Sequence, residues 1–153
     1  PHLLKSDNPH IMNLSPPLDM DPIWFQGSLA YTMAKFNMSM CVLGMAAEYQ
    51  GKIGVNALWP RTAIKTAAVS NVLGGNEMFE KSRSPEIMSD AAYIVFNKDH
   101  KTFTGNFLID DTLLAEHGET DFSKYADYPF EELMPDFFVP VDGYPVPKVV
   151  KES

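Results

Sequence analysis

The fold is best derived from residues 28–59, SLAYTMAKFNMSMCVLGMAAEYQGKIGVNALW, in which a helical pattern runs directly into a strand pattern. Neither proline nor a β-branched run interrupts the first part. Apolar residues recur there at spacings of three and four, at Met33, Phe36, Met40, Leu43 and Ala47. This pattern predicts a helix from Ser28 to about Tyr49, of about six turns. Gly51 is expected near its C-cap, and KIGVNALW (52–59) is expected to be a strand.

Two further strands are predicted on either side of this stretch. HIMNLS (10–15) is a short apolar run that stops at two prolines, as a buried strand ending in a loop does. FTGNFLID (103–110) follows an expected turn at KDHK (98–101) and is predicted as the third strand.

Two helices are predicted between the second and third strands. RTAIKTAAVSNVL (61–73) has a helical composition and stops at Gly74-Gly75. A second helix should run from Ser84 to about Asn97, because Ser84 offers an N-cap and Pro85 suits the first helical position. The element order is therefore strand, long helix, strand, two helices, strand. Every connection is long enough for a crossover, which predicts an α/β fold with a parallel sheet in three layers.

The composition changes beyond about Asp121. Residues 121–153 are rich in proline and aromatic residues and show no periodicity. This segment is typical of a tail or interdomain linker laid over a surface. We therefore expect a structural division into residues 1–120 and residues 121–153.

Length and charge exclude several classes of protein. The chain has 153 residues with 45% hydrophobic content, enough for one globular domain with a buried core. Its net charge of −8 has the wrong sign for neutralising phosphate backbones or anionic lipid, so nucleic acid is not an expected partner. No apolar run approaches the roughly 18 residues of a membrane span. The single cysteine, Cys41, indicates a reducing compartment and no internal disulfide.

No metal site is expected. The four histidines are scattered and do not form a cluster with the single cysteine at zinc-ligand spacing; they are His2, His10, His100 and His117.

The first candidate for chemistry is the pair Tyr31 and Lys35, which stand four apart and so on one face of the long helix. A phenol ordinarily has a pKa near 10, too high for acid/base work at neutral pH unless a fixed positive charge favours the phenolate. A lysine one turn along supplies such a charge. The spacing alone is weak evidence, because Tyr144 and Lys148 repeat it where the prolines of YPVPK forbid a helix. A surface coincidence is the competing interpretation.

The order of four segments favours a functional Tyr31–Lys35 pair over a surface coincidence. HIMNLSPPL, AYTMAK (30–35), NALWP (56–60) and FTGNFLID resemble the C-terminal half of a short-chain dehydrogenase/reductase in order and spacing. That resemblance implies the second half of a doubly wound, Rossmann-type parallel sheet, and it covers essentially the whole chain. In that family a strand ends at a catalytic serine, tyrosine and lysine follow on the next long helix, and an Asn-x-x-x-Pro segment contacts nicotinamide.

The resemblance implies a role for each matched residue. Tyr31 would exchange a proton with the substrate oxygen, and Lys35 would hold the nicotinamide ribose hydroxyls and keep the tyrosine acidic. The residues lying against the nicotinamide would be Pro60, Thr62, Ala63 and Ile64. The helical segment after them would form a lid over the substrate.

Two positions depart from the family pattern. Ser15, matched to the catalytic serine, aligns one position early because Pro16 and Pro17 follow it, and the loop to Tyr31 is a few residues longer than usual. A hydroxyl that merely caps a turn is the competing interpretation. The family's Pro-Gly pair is replaced by Pro60-Arg61. Arg61 is expected either to reach a phosphate or acidic substrate or to be a solvated surface residue.

A larger departure is the absence of a Gly-x-x-x-Gly-x-Gly turn after a strand and of the upstream asparagine of the catalytic tetrad. Gly74-Gly75 follows a helix and cannot substitute. The start, PHLLKSDNPH, has neither an initiator Met nor a signal-peptide core, so we expect a protein that is not secreted and a chain that begins inside a larger protein.

Two functions from different classes follow. The leading hypothesis is an NAD(P)-dependent oxidoreductase that interconverts a hydroxyl and a carbonyl on a small, apolar, fatty or steroid-like substrate. The resemblance slightly favours NADP over NAD, a homo-oligomer of at least two copies, and a peroxisomal location, otherwise a cytoplasmic or mitochondrial one. The alternative is a non-catalytic Rossmann-type binding or regulatory module, motivated by the displaced Ser15.

Overall fold

A computed structural model of the chain describes residues 1–69, 75–140 and 143–153. These residues form two compact units, each built from two stretches of sequence. The first unit contains residues 1–59 and 93–108, and the second contains residues 60–92 and 109–153. Among the described residues, no helix combines the length and the apolar composition that crossing a bilayer requires.

The first unit is built on a three-stranded parallel sheet. Its strands are β1 (His10–Asn13), β2 (Gly54–Trp59) and β3 (Phe107–Ile109), in the order β1-β2-β3. His10 lies opposite Gly54 and Asn13 opposite Ala57. A parallel sheet with helices in the crossovers confirms the predicted α/β class.

The long helix α1 (Leu29–Glu48) packs on β1 and β2, as its uninterrupted pattern predicted. Its buried face carries Thr32, Phe36, Ser39, Val42 and Ala46. The last two of these pack with Ile53, Val55 and Ala57 to form the core of the unit. Gly51, with φ of 72°, adopts the left-handed conformation in the connection from α1 to β2.

The strands are shorter than predicted, for local reasons. β1 ends at Asn13 instead of residue 15, shortly before Pro16 and Pro17, which have no N–H to continue a ladder. The predicted strand 103–110 contributes only three residues. Gly105 has φ of 76°, which no regular strand allows, and a helix that the sequence did not predict, α4 (Asp110–Glu116), replaces the strand's end.

The second unit contains α4 and three further helices, α2 (Gly75–Glu80), α3 (Glu86–Phe96) and α5 (Lys148–Lys151). The last turn of α3 belongs to the first unit. The predicted helix near Ser84–Asn97 is confirmed as α3. The predicted helix over 61–73 is wrong for residues 61–66. Thr62 and Ile64 there pair with other segments in isolated β-bridges; residues 67–69 are helical, and residues 70–74 lie outside the described parts.

Residues 121–153 lack long regular elements, but they supply several buried side chains to the second unit. These are Phe122, Tyr125, Leu133, Phe138 and Val150. The segment is therefore packed against its own unit over much of its length. Its use as a linker stays a prediction.

Candidate active site

Ser15 lies just beyond β1, and α1 fixes the backbone on both sides of it. The ammonium Nζ of Lys35 donates to the carbonyl oxygen of Leu14 at 3.2 Å, and Ser39 Oγ donates to the carbonyl oxygen of Pro16 at 2.6 Å. Ser15 itself is only 1% exposed, and its Oγ has no hydrogen-bond partner among the described residues. A buried hydroxyl with no partner is costly, so this hydroxyl suits a site in which a bound group supplies the partner.

The loop after Ser15, which is a few residues longer than usual, is bound to α1 by a second set of hydrogen bonds. Thr32 Oγ1 and Ser28 Oγ both donate to the carbonyl oxygen of Trp24, the latter at 3.0 Å. The indole Nε1 of Trp24 in turn donates to Asp19 at 2.8 Å. Thr32, Lys35 and Ser39 thus form a polar stripe on α1 that binds three carbonyls of one loop.

Tyr31 precedes Lys35 by one turn on α1 and is 46% exposed. The ammonium of Lys35 also lies 5.1 Å from the centre of the Trp59 ring, within range of a cation–π contact. Because Trp59 is the last residue of β2, Lys35 contacts groups at the carboxyl ends of both β1 and β2. This is where parallel α/β sheets bind ligands.

The loop that leaves β2 belongs to the second unit and is mostly buried. Thr62 and Ala63 are almost fully buried, and Thr62 Oγ1 has no partner among the described residues. The N–H of Ala63 donates to the carbonyl oxygen of Met134 at 2.8 Å, and its carbonyl accepts from the N–H of Arg83 at 2.9 Å. The loop therefore has a defined backbone conformation and presents a second unpartnered hydroxyl.

Both expectations for Arg61 are wrong. Arg61 is 5% exposed, and its Nε donates to both carboxylate oxygens of Asp111 at 2.8 and 2.9 Å. Its Nη1 donates to the carbonyl oxygen of Tyr144 and its Nη2 to Thr112 Oγ1, each at 2.8 Å. These bonds occupy the guanidinium inside the unit, so Arg61 is neither a solvated surface residue nor directed at a phosphate.

Asp110, the neighbour of Asp111, is fully buried and has an unusual acidity. Burial and, to a smaller extent, the charge of Asp111 raise the pKa of its carboxyl to about 7, against the opposing effects of Arg83 and of the N–H groups of Arg61 and Asp111. Asp110 Oδ1 accepts those two N–H groups at 3.0 and 2.8 Å.

The predicted site residues fall into two groups. Ser15, Tyr31 and Lys35 lie in the first unit, where α1 brings the backbone around Ser15 to Lys35. Pro60, Thr62, Ala63 and Ile64 form the loop of the second unit.

Asn56 of the NALWP segment lies inside the sheet. Its Nδ2 donates to the carbonyl oxygen of Phe103 at 3.0 Å, while its Oδ1 accepts from the side-chain and backbone N–H groups of Asn106 at 2.8 and 3.1 Å. Its side chain thus ties β2 to the segment before β3.

Sequence reasoning missed Thr32, Ser39 and the acidic pair Asp110-Asp111. The spacing of Thr32, Lys35 and Ser39, three and four residues apart, was the signal for the first two. No sequence pattern marked the acidic pair as buried, because most carboxylates in folded proteins are exposed to solvent.

Known proteins similar to this chain are dehydrogenases by name. The chain is 58% identical to hydroxysteroid dehydrogenase-like protein 2 of Danio rerio and 52% identical to that of Homo sapiens, over 95% of its own length in each case. It spans about a third of the length of these relatives, 34% of each. No model of a known protein family matches the chain.

Two solved structures share the fold. A short-chain dehydrogenase from Mycobacterium thermoresistibile superposes with a TM-score of 0.80 at 45% identity, over 95% of this chain and 53% of the other. A candidate dehydrogenase from Xanthomonas campestris gives a TM-score of 0.83 at 45% identity, over 91% of this chain and 51% of the other. In its parallel sheet, in the residues on α1 and in these comparisons, the chain is similar over most of its own length to dehydrogenases of the short-chain type.

Proposed function

We propose that the protein containing this chain is an NAD(P)-dependent oxidoreductase that interconverts a hydroxyl and a carbonyl group. The observation that carries the proposal is the arrangement around Ser15. Its unpartnered hydroxyl lies between two carbonyls held by the helix that also carries Tyr31. The names of the similar proteins, all dehydrogenases, support the same reaction class.

Each polar group has a distinct task in this reaction. Tyr31 gives a proton to the substrate oxygen in reduction and takes it back in oxidation. Lys35 places a positive charge one turn away, which favours the phenolate form of such a tyrosine. Ser15 donates a hydrogen bond to the same substrate oxygen and so stabilises negative charge that develops there.

The residues present fit the nicotinamide end of the cofactor. When bound, the nicotinamide supplies or accepts the hydride. The buried hydroxyl of Thr62 is available to a polar group such as a carboxamide, and the loop residues Pro60, Ala63 and Ile64 offer a mostly apolar surface beside it. Lys35 would bind the ribose hydroxyls. The resemblance slightly favours NADP over NAD.

The substrate and the setting are proposed from the resemblance. An apolar alcohol or carbonyl compound, of fatty or steroid-like character, agrees with the name hydroxysteroid dehydrogenase-like that the relatives carry. This implies a role in lipid metabolism and a peroxisomal location. Residues 1–120 are proposed to form the C-terminal half of the NAD(P)-binding domain, with residues 121–153 as a packed tail.

The outer face of α1 supports a homo-oligomer. Met33, Met40 and Leu43 are 60%, 53% and 47% exposed, although their spacing is that of a packing stripe. A row of large apolar side chains on one helix face is typical of a helix that pairs with another copy. We propose that the intact protein is at least a dimer through this face.

One observation favours the alternative, a non-catalytic Rossmann-type module. Ser15 is almost fully buried, and Pro16 and Pro17 follow it directly, so a substrate oxygen has little access to its hydroxyl in this conformation. Such a protein would bind the cofactor and turn over substrate poorly.

The test is Tyr31→Phe in the intact protein, with Tyr93→Phe as the matched control, since Tyr93 is 71% exposed on α3. We expect a loss of the order of 10²-fold or more in reduction of an apolar ketone, with cofactor affinity nearly unchanged, because only the proton donor is removed. The control should retain its activity. Full activity in Tyr31→Phe would refute the assignment, and cofactor binding without turnover in the unsubstituted protein would establish the alternative.

A further inference from the structure

Buried charges follow β2 and β3 in the second unit. Arg61 lies two residues after β2, and Asp110 and Asp111 come directly after β3. All three side chains are buried, and Arg61 pairs with Asp111 through Nε, which donates to both carboxylate oxygens. Arg83 adds one further bond to Asp111, at 3.0 Å. Charges so deeply buried persist only when their partners are fixed in place.

The same charges hold the backbone of the loop that leaves β2. Asp110 Oδ1 accepts the N–H of Arg61 at 3.0 Å. The carbonyl of Arg61 accepts the N–H of Asp136 at 2.9 Å, and Thr62 pairs with Pro135 in an antiparallel bridge. Arg61 is therefore bound through its side chain, its N–H and its carbonyl at once.

We propose that Arg61 is a positioning residue, which with Asp110 and Asp111 fixes the loop 60–64 in the conformation that receives the nicotinamide. The inference rests on the proposed function, because the loop is assigned to the cofactor there. It adds that the side chain of Arg61 does not contact the cofactor and affects its binding only by fixing the backbone of the loop.

The chemistry of the site requires arginine in particular. Each nitrogen of the guanidinium donates to a different residue: Nε to both oxygens of Asp111, Nη1 to the carbonyl of Tyr144 and Nη2 to Thr112. A planar group whose donors lie on three separate nitrogens can make this set, and the single nitrogen of an ammonium cannot. The family's usual glycine at this position would make none of these side-chain bonds, so the loop there must be fixed in another way.

A purely structural ion pair is the competing explanation, and the two differ in one respect. Arg61→Gly removes the side-chain bonds together with the positive charge, and leaves Asp111 paired with Arg83 alone. Arg61→Lys keeps the positive charge beside Asp111 and loses the bonds that the planar guanidinium makes to Tyr144 and Thr112. If Arg61 only balances charge, Arg61→Lys behaves like the unsubstituted protein. If Arg61 positions the loop, Arg61→Lys retains most of the stability and loses cofactor affinity and loop order.

The experiment uses the intact protein with Arg61→Gly, Arg61→Lys and a control, Lys65→Ala. Lys65 follows the loop directly, and its ammonium pairs with the exposed carboxylate of Asp127 at 2.7 Å. Three quantities are measured: the melting temperature, the affinity for NADPH and NADH by calorimetric titration, and the hydrogen exchange rates of the Ala63 and Asp136 amides without cofactor.

We expect Arg61→Gly to lower the melting temperature, to weaken cofactor binding by about ten-fold or more and to speed exchange at both amides. Arg61→Lys should retain most of the melting temperature, while its affinity and exchange protection are as low as in Arg61→Gly. Lys65→Ala should change none of the three.

Affinity and exchange protection in Arg61→Lys equal to those of the unsubstituted protein would overturn the proposal, as would unchanged exchange in Arg61→Gly. A failure of the proposed function has a different signature. In that case the unsubstituted protein binds neither cofactor, while exchange at Ala63 still decides whether Arg61 orders the loop.

Discussion

Ser39 Oγ lies 2.6 Å from the carbonyl oxygen of Pro16, and this bond joins the middle of α1 to the residue that follows Ser15. Ser39 is fully buried. Its hydroxyl is also 3.3 Å from the carbonyl of Lys35, one turn earlier. The bond therefore links the position of Ser15 to the helix that carries Tyr31 and Lys35.

Ser39→Ala should affect both stability and turnover. Without the donor, the buried carbonyl of Pro16 is unpaired, which costs about 1–3 kcal/mol in the free energy of unfolding. Turnover of the intact protein should fall as well, because the backbone around Ser15 is less restrained. Ser89→Ala is the control, since Ser89 donates to a helix carbonyl, that of Glu86, at 2.8 Å from an exposed position. Urea unfolding and steady-state kinetics check both effects, and equal behaviour of the two variants would contradict the prediction.

Ser15→Ala should separate stability from function. The hydroxyl has no partner among the described residues, so its removal should leave stability unchanged or raise it slightly. Turnover should nevertheless fall by the order of 10²-fold if Ser15 polarises the substrate oxygen. Thermal unfolding and kinetics of the same preparation provide the measurement. A change in turnover below about threefold would identify Ser15 as a turn residue.

Asp110→Asn should alter the pH dependence of stability. The pKa of Asp110 is raised from 3.8 to about 7 in the folded chain, so between these values the folded state binds more protons than the unfolded state. Asp110 therefore makes stability fall as the pH rises from about 4 to about 7, with no further loss above that range. Asparagine still accepts the N–H groups of Arg61 and Asp111 through its Oδ1 and removes the titration.

The measurement is the free energy of unfolding at several pH values between 5 and 8. The difference between Asp110→Asn and the unsubstituted chain should shift in favour of the variant as the pH rises. Asp127→Asn, at an exposed carboxylate, should show no such shift. Parallel pH profiles for Asp110→Asn and the unsubstituted chain would show that Asp110 does not titrate in this range.

Leu43→Glu should break the proposed dimer. The side chain is half exposed on the outer face of α1, so a single chain tolerates a carboxylate there, whereas a two-fold contact would bring two like charges together. Light scattering of the intact protein at micromolar concentration should show a dimeric mass for the unsubstituted form and a monomeric mass for the variant. A monomeric mass for both would contradict the proposed interface.

The sequence was sufficient for α1, for the parallel α/β class and for placing Tyr31 and Lys35 one turn apart on the same helix. An uninterrupted helical pattern and fixed local spacings carry that information, because the interacting residues lie within one turn of each other. The stripe that packs inward was not evident from hydrophobicity, since two of its members are Thr32 and Ser39. Their partners are the carbonyls of Trp24 and Pro16, which belong to the loop and not to the helix.

The environment of Arg61 could not be predicted for a similar reason. Its partner Asp111 lies 50 residues along the chain, beyond a strand, and no local pattern connects the two. A charged residue after a strand is usually solvated, and only the packing of the second unit reverses that expectation. The late start of the third strand was equally hidden, because Gly105 shows its left-handed conformation only once the chain is folded.

The bridge between Thr62 and Pro135 sets an order of events during synthesis. The two residues are about 70 positions apart, and a ribosome adding roughly 5–20 residues per second needs several seconds to pass from one to the other. The loop proposed to receive nicotinamide therefore cannot acquire its final pairing while α1 and β2 are already being released. A nascent chain should be unable to hold cofactor in this loop until the proline-rich segment has left the ribosome.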